Sequence, residues 1–240
     1  RMTIAVLKDV DLWFDAYRLR GQMNSVALSD AAELRETPVF GDVGQRRIAG
    51  LRDVVCDMEG YWDSSTDLAL FDKVGVADVP ITIAPEGAAE GARAFLFRCM
   101  AGEYVPGAGV GEPFAFSFAA QGSSGERLVR GSILHNAVRT ADGQTTGLQL
   151  GAVGATQKLY AALHVLALSG ANPTSLYLES DDNSGFTSAT VRITFDALTT
   201  SIGSQWKTLA GAITDDWWRI RWDVPAGTPS VEFVVAVGIL

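Results

Sequence analysis

The chain has 240 residues, of which nearly half are hydrophobic and a fifth charged; 28 acidic side chains against 19 lysines and arginines leave a net charge of −9. Such a composition suits folded globular structure and excludes a disordered chain. The shortage of cations argues against a protein that wraps nucleic acid by displacing counterions from phosphates.

From the N-terminus, Thr3 to Phe14 has the alternation of a strand and Met23 to Leu28 reads as a second, shorter one. Residues 30 to 38 are polar and mixed, with no element assigned. Phe40 to Asp53 reads as a loop carrying Arg46, Arg47 and Arg52, with glycines at 41, 44 and 50 that open backbone conformations closed to other residues. Taken alone, it is either an arm that reaches a neighbour or a solvated connection, and the solvated connection is the commoner case. From Val54 to Trp62, apolar Val54, Cys56 and Met58 alternate with Val55, Asp57 and Glu59, the pattern of a half-buried strand. Ser64 or Ser65 caps a predicted helix over Thr66 to Lys73, with Leu68 and Phe71 on one face and Gly75 past its end.

Strands then resume. Val79 to Ala84 is bracketed by Pro80 and Pro85, which predicts an edge position because proline cannot donate to a ladder. Arg93 to Met100 and Glu112 to Gln121 bring five phenylalanines to neighbouring strands, joined by a glycine-rich hairpin connection over residues 102 to 111. Arg127 to His135 follows, and the small, polar residues 136 to 147 read as a linker. Beyond it, seven short strands separated by Gly, Asn, Asp and Pro turns predict a second all-β unit, an immunoglobulin-like or jelly-roll sandwich. They lie near residues 148–153, 158–168, 175–179, 189–197, 206–209, 217–224 and 230–240. Lys158 to Leu168 is apolar on both faces, as a strand covered on both sides would be.

Candidate sites are few. Asp181 and Asp182, with Asn183, offer oxygens of the type calcium prefers, but Asp-Asn-Ser-Gly is also ordinary turn chemistry, and the turn is favoured. Trp217, Arg219 and Arg221 share one face of a strand whose other face carries Trp218, Ile220 and Trp222. That arrangement fits a ligand face on which a sugar ring stacks, or a core strand with Trp217 lying over the arginine stems, and the core reading is favoured. Cys56 and Cys99 each occupy an apolar position of an alternating stretch, which favours buried free thiols over a disulfide; with His135 and His164 remote from both, no zinc set forms. No catalytic set and no cofactor motif emerges, so a non-enzymatic protein is expected. Without a signal peptide or an apolar run of roughly 18 residues, the expectation is a soluble chain made in a cytoplasm.

Ala5-Val-Leu-Lys-Asp-Val-Asp-Leu, the Asn24-Ser-Val-Ala-Leu-Ser segment, the arginine-bearing loop, the strand ending Tyr61-Trp62-Asp63, the Thr66 to Lys73 segment and Val79-Pro-Ile-Thr-Ile-Ala-Pro follow one another in an order that resembles the major tail tube protein of long, non-contractile-tailed bacteriophages. The resemblance covers roughly residues 3 to 135, and Phe116 to Gly122 with Leu128 to Leu134 resembles the last two strands of that domain. It implies a tail tube domain over residues 1–138, a β-barrel or sandwich with one short helix, and a C-terminal β-sandwich decoration domain over 139–240. It further implies hexameric rings that stack into a tube conducting DNA, with Arg46, Arg47, Ile48, Leu51 and Arg52 at a subunit or ring interface. Implied partners are further copies of the chain, the tape measure protein and DNA in an acidic lumen, neck and distal tail proteins at the tube ends, and host surface glycans on the C-terminal domain. The place would be the virion tail, assembled in the host cytoplasm. Alternatives are a carbohydrate-binding β-sandwich protein, or another virion part such as a capsid decoration or distal tail protein.

Overall fold

The computed structural model describes residues 9–40, 43–170, 172–199, 201–227 and 230–240. The described residues are all-β apart from one short helix and a 3-10 turn, and the Cα atoms group into two compact units that interleave along the sequence. The first unit takes residues 1–20, 79–97 and 129–240, and the second takes 21–78 and 98–128.

In the first unit, two sheets face each other. The larger is built from β1 (Asp11–Phe14), β2 (Tyr17–Arg18), β5 (Val79–Ala84), the first part of β6 (Arg93–Gly107), β8 (Val129–Arg139), β11 (Lys158–Ser169), β14 (Gly203–Ala210) and β16 (Ser230–Ile239). Their order is β14-β11-β16-β8-β6-β5-β1-β2, open at both ends. The smaller has β15 (Trp217–Asp223) between β12 (Ser175–Asp181), with β13 (Thr190–Thr194) outside it, and the short β9 (Gly143–Gln144) and β10 (Leu148–Gln149), which pair with successive stretches of β15. Alternation decides what each strand buries. Leu159, Ala161, Leu163 and Val165 of β11 and Val231, Phe233, Val235 and Val237 of β16 point between the sheets, against Leu176, Leu178, Trp218, Ile220 and Trp222. Tyr160, Ala162, Val234 and Ala236 point the other way and meet Trp13, Ala84, Leu96 and Ile133. Both faces of β11 and β16 are therefore covered, which is why these strands read as nearly continuous apolar runs. Trp218 and Trp222 lie in this core as expected, their indole N–H groups donating to the carbonyls of Gly151 and Ala141 at 2.9 and 3.0 Å.

His164 of β11 is fully buried, and its two ring nitrogens are both engaged. Nδ1 lies 2.6 Å from the Asp15 carbonyl, to which it must donate, so Nε2 accepts from the Thr82 hydroxyl at 2.8 Å. Burial holds its pKa down at about 4, so the ring is neutral at pH 7.

The second unit is an antiparallel sheet in the order β3 (Met23–Glu36), β4 (Arg47–Tyr61), β7 (Ala115–Gly122) and the later part of β6. One face buries Val54, Cys56, Met58, Cys99, Ala101, Phe116, Phe118 and Ala120. Helix α1 (Ser64–Leu70) follows β4, with the Asp63 carboxylate accepting from the backbone N–H groups of Ser65 and Thr66, both at 2.8 Å. These bonds satisfy donors that the first helical turn leaves orphaned, and with the Ser65 hydroxyl, which donates to the same carboxylate at 2.6 Å and has the larger effect, they hold the Asp63 pKa down at about 2. Tyr104 and Trp62 donate to the Asp67 carboxylate at 2.9 and 3.0 Å, tying α1 to β6 and to the end of β4.

Several sequence expectations are corrected. Residues 1–8, which include half of the expected first strand, lie outside the described residues. Strand β3 continues to Glu36 through the stretch read as unstructured, and β4 begins at Arg47, so Arg47, Ile48, Leu51 and Arg52 are strand residues while Arg46 stays in the loop. The helix is capped by Asp63 and not by a serine, and Leu68 and Phe71 are exposed while Thr66, Ala69 and Leu70 are buried. Strand β5 is interior, with all six residues buried: its ladder to β1 begins at Ile81, and Pro80 takes part only through its carbonyl, which accepts from Asp15 N–H. The expected linker is structured. Strand β8 runs to Arg139, Asp142 accepts from Val224 N–H at 2.6 Å, and Thr145 is buried against Ile220. No barrel closes among the described residues.

Candidate assembly surface

Strand β7 pairs with β4 only over Val55 to Tyr61. Beyond that point, Arg47 to Val54 has β3 as its one described ladder partner, so residues 30–36 and 47–54 form a two-stranded ribbon, about 25 Å long at 3.4 Å per residue. A lone two-stranded ribbon is marginal in water. Cross-strand pairs support this one: Arg52 meets Asp30 (Nε to Oδ1, 3.0 Å) and Arg47 meets Glu36 (3.3 Å), while Arg35 pairs with Glu33 of its own strand at 3.1 Å. The ladder bulges between Ala32 and Leu34, where Gly50 and Leu51 of β4 stand against the single Glu33, and Glu33 sits over Gly50, where a Cβ would come 3.0 Å from its carboxylate. Arg47 also donates to Gln45 within the turn.

Both faces of the ribbon are exposed, and they are not wholly polar. Leu34, Ile48 and Leu51 stand out from it, Leu51 at 85% exposure, and Val39, Phe40 and Val43 project from its tip. The feature extends across the second unit. Of the eighteen large apolar side chains exposed among the described residues, fifteen belong to this unit, which holds well under half of the chain. They include Leu68, Phe71, Val74 and Val76 around the helix and Val105, Val110 and Phe114 along the β6–β7 hairpin. Large apolar exposure gathered in one unit makes it the candidate interaction surface of the chain. The outer edge of β3 adds to it: among the described residues the strand pairs only with β4, so one side of a 14-residue strand presents backbone donors and acceptors with no described ladder partner.

The face of this sheet opposite its core is different again. Register puts Ser25, Ala27 and Ser29 beside Glu59, Asp57 and Val55, which face Ser117, Ala119 and Gln121, which in turn face Val105, Glu103 and Met100. These positions hold three carboxylates, no cation and mostly small side chains. Asp57, Glu59 and Glu103 thus share one surface, a grouping that pairing register reveals and sequence order does not.

In the first unit, Trp217, Arg219 and Arg221 lie on the outer face of β15, as alternation predicts. Sequence reasoning missed their partner. Glu179, with its side chain 6% exposed, accepts from Arg219 at 2.8 Å and Arg221 at 2.7 Å, and Arg221 also reaches Asp223. The signal was the outward phase of Tyr177, Glu179 and Asp181 against inward Leu176 and Leu178. Each guanidinium also covers an aromatic face, Arg219 over Phe186 at 4.3 Å and Arg221 over Tyr177 at 4.1 Å, so these rings are already stacked within the fold. Asp181 is the centre of a turn: it accepts from Asp182 N–H, Ser188 N–H, the Ser188 hydroxyl and Asn183, bonds that hold its pKa down. No group of side chains suited to a metal ion occurs among the described residues.

His135 is buried against Trp222 and Phe233, with Glu90 3.2 Å from Nδ1 and Arg139 donating to Nε2 at 3.2 Å; burial keeps its pKa at about 4. Cys56 and Cys99 are free and buried, and burial raises both thiols, Cys56 to about 12, which leaves neither a nucleophile at neutral pH.

No protein-family model matches the chain, and no curated protein matches it. Among solved structures, it is similar to the Dit protein of phage SPP1, described as a paradigm of the hub adsorption apparatus in phages infecting Gram-positive bacteria; the two are 12% identical, with a TM-score of 0.38 over 97% of this chain and all of the other. It is also similar to a component of the virion of a native gene transfer agent particle, at 14% identity and a TM-score of 0.40 over 52% of this chain and 98% of the other.

Proposed function

We propose that this chain is a structural subunit of a bacteriophage tail that pairs with copies of itself into rings, and that the rings stack into the tube through which DNA leaves the particle. The observation that carries this is the concentration of exposed apolar side chains on the second unit, together with the long unpaired edge of β3. A sheet with a free edge and a projecting ribbon is equipped to continue its ladder into a neighbour, and ring closure removes the edge altogether. Arg46, Arg47, Ile48, Leu51 and Arg52 then belong to the contact between subunits or rings. The cation-free surface of Asp57, Glu59 and Glu103 suits the wall of a conduit, since carboxylates repel the phosphate backbone and short side chains leave it little to catch on. Both histidines are buried and engaged and both thiols are inert, in keeping with a role that needs no catalysis. Tape measure protein, neck and distal tail proteins are the partners such a tube requires, and the virion tail is its place.

Negative-stain microscopy of the purified chain tests this. Stacked rings forming hollow tubes are the expected result. Single unstacked rings would point instead to a hub or decoration role, and dispersed monomers at every concentration would end the proposal.

A further inference from the structure

The larger sheet of the first unit has a face at β6, β8 and β16 that forms the floor of a cleft of about 300 Å³, with Leu150, from the segment after β10, in its wall. Arg93, Arg130 and Ser132 line it on one side, and Val237 and Ile239 on the other. Gly131 and Gly238 face each other across the β8–β16 ladder in its floor. A Cβ on Gly131 would come 2.1 Å from the Val237 carbonyl, and one on Gly238 would meet the Val129 side chain and the Arg130 carbonyl, so neither position admits a side chain.

The charges in the cleft are out of keeping with the rest of the molecule. In a chain with a net charge of −9, nine of the described arginines pair with a carboxylate. The side chains of Arg93 and Arg130 have neither an ion pair nor a hydrogen bond among the described residues, and no carboxylate lines the cleft. Register places them on the same face: Arg93 is opposite Ser132 and Phe95 opposite Arg130, so the two arginines are diagonal neighbours, about 7–8 Å apart at Cα. Diagonal neighbours at this spacing are within reach of each other's long side chains, so one anion can be shared between the two guanidinium groups. Two guanidinium forks and a hydroxyl converging on one oxyanion match a phosphate monoester, which carries about −1.5 to −2 charges at pH 7. The apolar side made by Leu150, Val237 and Ile239 has no use for a bare ion and suits a ligand with a carbon skeleton behind the phosphate.

We infer that this cleft is a binding site for a small organic phosphate monoester, with Arg93 and Arg130 holding the phosphate, Ser132 donating to it, and Leu150, Val237 and Ile239 against the carbon portion. The site is independent of the assembly surface and requires no catalytic step.

Isothermal titration of the full chain with glycerol 3-phosphate, inorganic phosphate and acetate, in low salt, tests the inference. Glycerol 3-phosphate should bind more tightly than inorganic phosphate, and acetate least. Arg93→Gln and Arg130→Gln should each weaken binding about tenfold or more, since a hydrogen bond to a charged group contributes about 1.5–3 kcal/mol. Lys207→Gln, which removes one charge elsewhere, should leave binding unchanged. Circular dichroism should show all three variants folded, because none of these side chains is buried. No binding of glycerol 3-phosphate at millimolar concentration, or equal weakening by Lys207→Gln, would overturn the site. Inorganic phosphate binding as tightly as glycerol 3-phosphate would overturn the assignment to an organic phosphate.

Discussion

Changing Phe40 and Leu51 together to serine separates a role in assembly from a role in the fold. Phe40 is fully exposed at the ribbon tip and Leu51 is 85% exposed on its flank, so neither contributes to the core of the single chain. Surface substitutions of this kind alter stability by only about 0.5 kcal/mol in either direction, and the thermal midpoint of the isolated chain should barely move. If the two side chains are buried in a neighbouring copy, each contributes about 1.5–3 kcal/mol to the contact. Losing both then costs about 3–6 kcal/mol per interface, a weakening of roughly 10² to 10⁴ in dissociation constant at 1.4 kcal/mol per factor of ten. Sedimentation velocity over a hundredfold range of concentration, with circular dichroism melts alongside, reads both quantities. The expected result is unchanged melting with assembly displaced to far higher concentration or lost. Assemblies of unchanged size at unchanged concentration would refute the assignment of the ribbon to the contact.

Other consequences can be measured directly. Arg46→Glu with Arg47→Glu should block polymerisation in the microscope while leaving the circular dichroism spectrum intact; unaltered tubes would remove these arginines from the interface. Glu179→Gln strips the charge from a buried carboxylate shared by Arg219 and Arg221, and should cost about 3–5 kcal/mol in urea unfolding; a loss below about 1 kcal/mol would show that the neighbouring Asp223 takes over. Folded His164 stays neutral down to about pH 4, whereas the unfolded chain takes up that proton below about 6.5, so its contribution is whole above 6.5 and falls by about 1.36 kcal/mol per pH unit between 6.5 and 4. His164→Asn should flatten the pH dependence of the urea midpoint across that window by this amount, and an unchanged slope would contradict the neutral ring. Asp63→Ala should lower stability by about 1 kcal/mol through loss of the helix cap, read as a fall of a few degrees in the melting midpoint.

Strand content was legible wherever burial imposed a period. The seven strands expected after residue 147 all occur, and the two-faced apolar run of β11 marks a strand that is covered on both sides. Legibility failed where burial does not discriminate. The ribbon residues of β3 and β4 are exposed on both faces, so no period separates them from a charged loop, and cross-strand pairs such as Arg52 with Asp30 hold them extended instead. Strand β6 hid a second feature, because its buried set shifts phase between Leu96 and Phe97, where the chain passes from one unit to the other. The shared face of Leu68 and Phe71 on the helix is legible but its destination is not, since a face that packs within a fold and one left for a partner have the same spacing. The Glu179 cluster and the shared face of Asp57, Glu59 and Glu103 depend on which residues register brings opposite one another, information that linear order does not carry.

The position of β16 affects how the molecule comes into being. It is synthesised after every other described strand, yet it lies inside its sheet, hydrogen-bonded on one side to β8 and on the other to β11. Every strand of the second unit has emerged by residue 128 and can fold while the larger unit still lacks its central rung. A nascent chain would thus display its ribbon before the rest of the molecule is complete, and on the proposed function a copy cut short before residue 230 would keep the means to join its sisters without a finished body to bring with it.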